Sequence, residues 1–376
     1  MIGMERKRFF LVSLVVMALG AVLLVNAAAS GGPLQLNQRL LIQGIGVDKT
    51  EEGVLVSVHV SDPLQQGAIQ LYQAEGSTVL TALDQLSQTS GKVPLYSHNM
   101  MVILGRECAE GGAEKYMDFF VRYYETRPSV SVFMAEEEAR DILETQQDGE
   151  YPDTETLVQL AQSGSINGWV VNTRVIDFVN QLAGEGSSPY MPVLGTEENQ
   201  IQVTGTALFR QDVLCGILSP EESRILLLIT KRLTGGQVLA EEDEAGKITL
   251  SIQKATACVS TALEKERPVL QIGIQCELEI SSMDMMRFSG DGAQMIDDLE
   301  KQLSQKLTEQ TGQVLNRTLG ELHSDPFGFG RLLMQTQTGW WKENGKNWES
   351  EMANCQFSME ADVSINRVEA EVPPLH

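Results

Sequence analysis

Val269-Leu270-Gln271-Ile272-Gly273-Ile274-Gln275-Cys276-Glu277-Leu278-Glu279-Ile280 alternates in character with a period of two. Leu270, Ile272, Ile274, Cys276, Leu278 and Ile280 share one face; Gln271, Gln275, Glu277 and Glu279 share the other. Successive side chains of a strand point to opposite faces, so this stretch is a strand with one dry and one wet side. Residues 248–259 read as its neighbour, joined across the polar turn Glu264-Lys265-Glu266-Arg267-Pro268. Cys355, Phe357, Met359, Ala361, Val363 and Ile365 repeat the device against Glu360, Asp362 and Asn366. A sheet with one apolar face needs a cover. Ile296, Leu299, Leu303, Leu307, Val314 and Leu319, at helical spacing between about residues 294 and 322, supply it. The C-terminal half is expected to be an antiparallel sheet covered by a long helix.

Upstream the pattern changes. Residues 40–47 and 53–60 read as a hairpin, with Val54, Val56, Val58 and Val60 on one face. Helical spacing over 78–88 is followed by the apolar strand Met100-Met101-Val102-Ile103-Leu104. A helix over 114–125 with Tyr116, Phe119, Phe120, Tyr123 and Tyr124 on one stripe precedes a strand over 129–134. Further helices are expected over 135–143, 153–162 and 172–182. Helices interleaved with strands predict a mixed sheet with helices packed on it, so the fold class is α+β. Gly184-Glu185-Gly186-Ser187-Ser188-Pro189 is loop chemistry and places a domain boundary near 184–200. Ser219-Pro220-Glu221-Glu222 then supplies an N-cap hydroxyl, a proline at the first helical position and a glutamate at the third, which is a capping box.

The N-terminus belongs to neither half. Arg6, Lys7 and Arg8 are followed by no charge until Arg39, and residues 9–25 are almost wholly apolar. Such a segment is an export signal or a membrane anchor, with the chain behind it on the outer face. Phe9 to Ala29 is 21 residues, about 31 Å as a helix at ~1.5 Å per residue, enough to span a hydrocarbon core of about 30 Å. Ala27-Ala28-Ala29 before Ser30 equally offers small residues for cleavage. The expected organisation is a leader over 1–30 and domains over 34–196 and 200–372.

The formal net charge is −23, and since Glu5, Arg6, Lys7 and Arg8 together carry +2, the exported part carries −25. That surface repels nucleic acid and anionic headgroups, and no basic patch interleaved with aromatics offsets it. Membrane attachment therefore falls to the N-terminal segment. Cys108, Cys215, Cys258, Cys276 and Cys355 are odd in number and form no CxxC pair, which argues against a disulfide framework and a zinc site. Cys276 and Cys355 fall in phase with inward residues and read as small buried hydrophobes.

Catalytic devices are missing. No GxSxG, HExxH, phosphate loop or GxGxxG occurs. The acidic runs Glu136-Glu137-Glu138 and Glu241-Glu242-Asp243-Glu244 lack calcium-loop spacing and read as solvated faces. No catalytic residue, metal ligand or cofactor is assigned. His98, before an apolar strand, and Arg122, in the aromatic helix, are the better candidates for a defined polar role. Asp325-Pro326-Phe327-Gly328-Phe329-Gly330-Arg331 is the most distinctive local stretch: Asp-Pro starts a turn, the glycines permit positive φ, and the phenylalanines need a pocket. Trp340, Trp341 and Trp348 follow, at least two of them expected in the core.

Taken in order, these landmarks resemble the Ger(x)C family, the C subunits of spore-germination receptors. The resemblance runs through Leu41-Ile42-Gln43-Gly44-Ile45-Gly46-Val47-Asp48, Ser97-His98-Asn99-Met100-Met101-Val102-Ile103-Leu104-Gly105 and Phe119-Phe120-Val121-Arg122. It continues in Gly205-Thr206-Ala207-Leu208-Phe209, in Cys215 through Glu222 and Ser223, and in Asp325 through Gly330 before Trp348. The positions carried over are Asp48, His98, Arg122, Glu222, Asp325, Phe327, Gly328, Gly330 and Trp348, in structural or interface roles. The resemblance implies a non-enzymatic outer subunit working with a polytopic A subunit and a transporter-like B subunit of the spore inner membrane. It implies an assembly that senses small nutrients and starts release of the spore's ions and dipicolinate. One departure stands out: where the family carries a lipid-bearing cysteine, residues 26–32 hold Ser30 and no cysteine, and serine cannot form the thioether. Two rival readings are an exported nutrient-binding protein with a crevice between its domains, and an exported hydrolase relying on His98.

Overall fold

The computed structural model describes residues 14, 16–21, 38–62, 67–123, 126–242, 246–283 and 292–366. Most of the leader expected over 1–30 lies outside them, and no helix among the described residues is long and apolar enough to cross a membrane.

Two sheets organise the chain. The first contains β1 (Arg39–Lys49), β2 (Val54–Asp62), β3 (Ala68–Gly76), β4 (Val93–Leu95), β5 (Met101–Leu104), β6 (Ser131–Ala135), β7 (Tyr190–Glu197), β8 (Gln200–Arg210) and β9 (Val213–Leu218). Their order is β3-β2-β1-β5-β6-β7-β8-β9, with β4 beside the start of β1. The central strands β1, β5, β6 and β7 run parallel, and antiparallel strands flank them on both sides. A parallel centre is covered on both faces. Val102, Leu104, Val132 and Met134 accordingly pack under the helices Val79–Ser90, Glu114–Arg122 and Val175–Ala183. Met101, Ile103, Phe133 and Ala135 point the other way, into Ile142, Leu143 and Leu157. This is the expected mixed sheet with its helices.

The ladder does not stop at residues 196–200. β7 pairs with β8 across a turn in which Glu198 and Asn199 have positive φ, and β9 closes the same sheet. Strands on both sides of the expected boundary therefore share one set of hydrogen bonds.

The second sheet contains β10 (Gln237–Glu242), β11 (Gly246–Glu264), β12 (Arg267–Met283) and β13 (Gln356–Asn366), in that order. β11 and β12 form the expected hairpin, turning at Lys265 and Glu266, both with positive φ. β13 departs from expectation. It runs parallel to β12, from Val269 opposite Gln356 to Glu279 opposite Asn366, so only the β10–β11 and β11–β12 pairs are antiparallel. The cause is the connection: the helix Gly292–Leu315 carries the chain back across the sheet, and a crossover of that length returns a strand in its original direction.

That helix buries Leu299, Leu303, Val314 and Leu315 and runs on into a π-helical turn, Asn316–Glu321. Beside it lies the helix Pro220–Ile229, started by the capping box: Ser219 Oγ accepts from Glu222 N at 3.3 Å, and Glu222 Oε2 accepts from Ser219 N at 2.8 Å. Tyr190, Leu208 and Leu218 of the first sheet join the core formed by these helices and the second sheet.

Candidate functional site

The Asp325 stretch becomes a clamp between the two halves. Asp325 is fully buried, and its carboxylate meets four donors. Oδ1 accepts from Gly328 N at 2.9 Å and Phe329 N at 3.1 Å; Oδ2 accepts from Gly330 N at 2.8 Å and Trp348 Nε1 at 3.1 Å. Gly328 takes φ +77° to bring its amide round, and this turn starts the helix Phe329–Thr336. A Cβ on Gly330 would come within 2.6 Å of both Gly186 Cα and Trp348 Nε1, so nothing larger than glycine fits. Burial pushes the Asp325 pKa up to about 6, against the pull of the four hydrogen bonds.

The other side of the clamp is the loop read as a boundary. Ser188 N donates to Asp325 O at 2.7 Å, and Asp325 N donates back to Ser188 Oγ at 2.9 Å. Arg331 N donates to Gly186 O at 2.9 Å, and Ser324 Oγ to Phe209 O of β8 at 2.8 Å. Phe329 is buried and Phe327 half-buried, their rings stacked 5.0 Å apart. Trp348 and Trp341 are the two core tryptophans, while Trp340 donates Nε1 to Glu266 O at 2.9 Å from a more open position. Every partner of the Asp325 carboxylate is a donor. The group is thus occupied as an anchor, with no lone pair turned towards solvent.

Glu222 forms a second tie. Its carboxylate closes the capping box and also receives Arg317, which sits on the π-helical turn. Arg317 Nη2 donates to Ile217 O of β9 at 2.9 Å, so one guanidinium holds the long helix against the first sheet and the second helix at once. A widened turn shifts the side chains after it relative to a regular helix. Arg317 carried no sequence signal of this role; only the capping box was readable.

Asp48 repeats the clamp chemistry inside the first sheet. It lies at the end of β1, where Oδ1 accepts from Ala139 N at 2.6 Å and Oδ2 from Arg140 N at 2.8 Å, the first amides of the helix Ala139–Glu144. Those orphan donors need such a partner. A Cβ on Gly105 would lie 2.1 Å from Asp48 Oδ1, which explains glycine there. Desolvation pushes the Asp48 pKa up to about 6, opposed by the two amide bonds.

His98 and Arg122 stand apart from these ties. His98 is exposed at the end of the short turn Tyr96–His98. Arg122 is exposed and pairs with Asp118 one helical turn away, an arrangement worth little in water. The buried histidine is His59, which was not singled out. It donates Nε2–H to Leu143 O at 2.8 Å, and burial pulls its pKa down, keeping it neutral. Among the described residues no group of three or more His, Cys, Asp or Glu side chains could hold a metal ion, and the five cysteines are free.

Residues 33–196 match the family described as "Spore germination protein N-terminal domain", and residues 204–369 match "Spore germination B3/ GerAC like, C-terminal". The chain belongs to the Ger(x)C family. It is 20% identical over 332 residues to the Bacillus cereus "Spore germination protein GerQC", covering 87% of this chain and 91% of that protein. It is 21% identical to the Bacillus subtilis (strain 168) "Spore germination protein B3" over 299 residues, 78% of this chain and 79% of the relative. The crystal structure of the GerBC protein superposes with a TM-score of 0.61 at 17% identity, over 86% of this chain and 97% of that one, so the Ger(x)C fold is shared. The two family domains divide between residues 196 and 204, whereas the hydrogen-bonded sheet of this Ger(x)C chain continues to Leu218.

Proposed function

We propose that this chain is the C subunit of a nutrient germinant receptor, held at the outer face of the spore inner membrane and acting through contacts with membrane-embedded A and B subunits. The observation that carries this reading is the ordered match of both germination domains along almost the whole exported part. The site geometry supports a non-enzymatic role: Asp325, Gly328, Gly330 and Trp348 are consumed in fastening the two halves together. A body tied in this way is suited to passing a displacement from one partner to another. Attachment is assigned to the uncleaved leader, since Ser30 cannot carry a thioether-linked lipid and a spanning helix holds far more firmly than one acyl chain.

Deletion of the gene is expected to block germination with specific nutrients and leave vegetative growth normal, with recovery on complementation. Normal nutrient germination in a strain lacking any paralogue would overturn the proposal. Mass analysis of the membrane-derived protein is expected to return an intact Met1; a start at Ser30 would remove the anchor.

One observation favours the rival nutrient-binding reading. A cavity of about 410 Å3 opens beside the clamp, between the two halves, lined by Tyr190, Lys231, Arg232, Phe327 and Arg331 among others. Calorimetry of the full chain against amino acids, sugars and nucleosides distinguishes the readings, because a tight ligand lost in Arg232→Ala would promote the crevice.

A further inference from the structure

A different cavity, of about 370 Å3, lies between the helix Pro220–Ile229, the helix Gly292–Leu315 and the inner face of the second sheet. That size is ordinary for a small-molecule site. Its walls are mainly aliphatic, formed by Ile225, Leu228, Ile252, Leu278, Leu303 and Leu307. Arg224 lines the same space and is half-buried. It donates from Nε to the carbonyl of Gly168 at 3.4 Å and from Nη2 to that of Asn167 at 3.5 Å. Both are longer than the usual range of about 2.7–3.2 Å.

No ion pair among the described residues includes Arg224. Burial pulls its pKa below the ordinary value, and the Glu221 charge nearby offsets only part of that. Glu221 also lines the cavity but forms no ion pair with Arg224; its Oε2 accepts from Ser219 Oγ at 3.0 Å, at the helix start. Cys276 also lines the cavity, but burial pushes its pKa up to about 11 and the thiol stays neutral. At the rim stands Lys306, exposed and likewise in no ion pair among the described residues. Leu303 and Lys306 continue into an adjoining space of about 380 Å3 along the same helix, bounded by Leu239 and Leu299. A charged group kept from water is costly unless it is paired. Here a guanidinium with only two long hydrogen bonds faces a mainly aliphatic cavity.

We propose that this cavity binds an apolar monocarboxylate, with the carboxylate on Arg224 and Lys306 and the hydrocarbon tail along Leu278, Leu303 and Leu307. The proposal does not depend on the receptor assignment, since it rests on the cavity and its cations.

The test is calorimetry on the full chain in phospholipid nanodiscs, with empty nanodiscs as the blank and hexanoate, hexanol, hexylamine and octanoate as probes. Hexanoate is expected to bind at least about tenfold more tightly than hexanol or hexylamine, an advantage in line with a charge-assisted hydrogen bond. Octanoate is expected to gain roughly fourfold in affinity per added methylene. Arg224→Gln should erase the preference for carboxylate over alcohol, Arg224→Lys should keep most of it, and Leu278→Trp, which fills the slot, should abolish binding of every probe. Equal affinities for hexanoate and hexanol in the parent protein would overturn the proposal. So would an unchanged hexanoate affinity in Arg224→Gln. Should that variant melt early, the parent ratio of hexanoate to hexanol decides alone.

Discussion

Asp48 and Asp325 are the same chemical device in two places: a buried carboxylate held by backbone amides at the start of a helix. They differ in what they tie. Asp48 serves one sheet, fixing the end of β1 to a helix that follows β6. Asp325 takes twice the donors, one of them the indole of Trp348, and its own backbone is bonded to Ser188 across the junction of the two halves. A local tie can fail and leave the rest of the sheet in place, whereas a junction tie draws four separate segments together. Motif residues at the junction therefore carry more of the structure than their number implies.

Asp325→Asn gives the largest expected effect. The amide matches the carboxylate in shape but has one oxygen, so either the Gly328 and Phe329 amides or the Gly330 amide and the Trp348 indole must face an NH2 group. Leaving two buried donors unmatched, with repulsion added, is expected to cost on the order of 4 kcal/mol by chemical denaturation. The loss should appear as a biphasic transition, because the halves lose their tie before either unfolds. A single transition shifted by under about 1 kcal/mol would break the comparison.

Asp48→Asn is expected to cost about 2 kcal/mol, since only two donors are involved and one still finds the amide oxygen. The transition should remain single. The pH dependence sharpens the pair. Both carboxyls sit at about 6 when folded, against 3.8 otherwise, so between those values the folded chain keeps protons that the unfolded chain has lost. The contribution of each group is then fully present below about pH 4 and is lost as pH rises through about 6, by at most about 3 kcal/mol for each. Melting temperature should be higher at pH 5 than at pH 7, and the difference should shrink in each Asn variant.

The contrast also explains what the sequence disclosed. Alternation in 269–280 and helical spacing in 294–322 reported burial directly, because the periods of strand and helix are fixed by backbone geometry. Val54, Val56, Val58 and Val60 placed β2 for the same reason. The direction of β13 was not readable, because alternation is identical in parallel and antiparallel strands; only the crossover decides it. β3 was not anticipated: Ala68–Gly76 is an edge strand with no fully buried position and is rich in polar residues. At the site, Asp325 with its two glycines was legible because turns demand particular residues. Ser188, Gly186 and Arg317 were not, since their roles depend on which distant segment arrives beside them.

Glu222 and Arg317 provide an intermediate case between the local and the junction tie. Their side chains are 23% and 38% exposed, so water shares the charge and the pair is weaker than a buried one. Arg317→Met is expected to cost about 1 to 2 kcal/mol, chiefly through the lost bonds to Glu222 and to Ile217 O. In a double-mutant cycle with Glu222→Gln, a coupling of about 1 kcal/mol is expected. A coupling near zero would mean that the guanidinium acts only on the Ile217 carbonyl.

Ser219→Ala should have the smallest effect, about 1 kcal/mol, because it removes one cap acceptor from one helix. Its value lies in the dependence on Arg317. With Arg317 present, Glu222 is held in place and keeps its bond to Ser219 N, so half of the capping box survives loss of the hydroxyl. With Arg317→Met, Glu222 is free to rotate into water, and Ser219→Ala then strips both bonds. The substitution should therefore cost more in the Arg317→Met background than in the parent, by a few tenths of a kcal/mol or more. Equal costs in the two backgrounds would show that the cap and the junction are independent, and that the third carboxylate, unlike Asp325, ties nothing beyond its own helix.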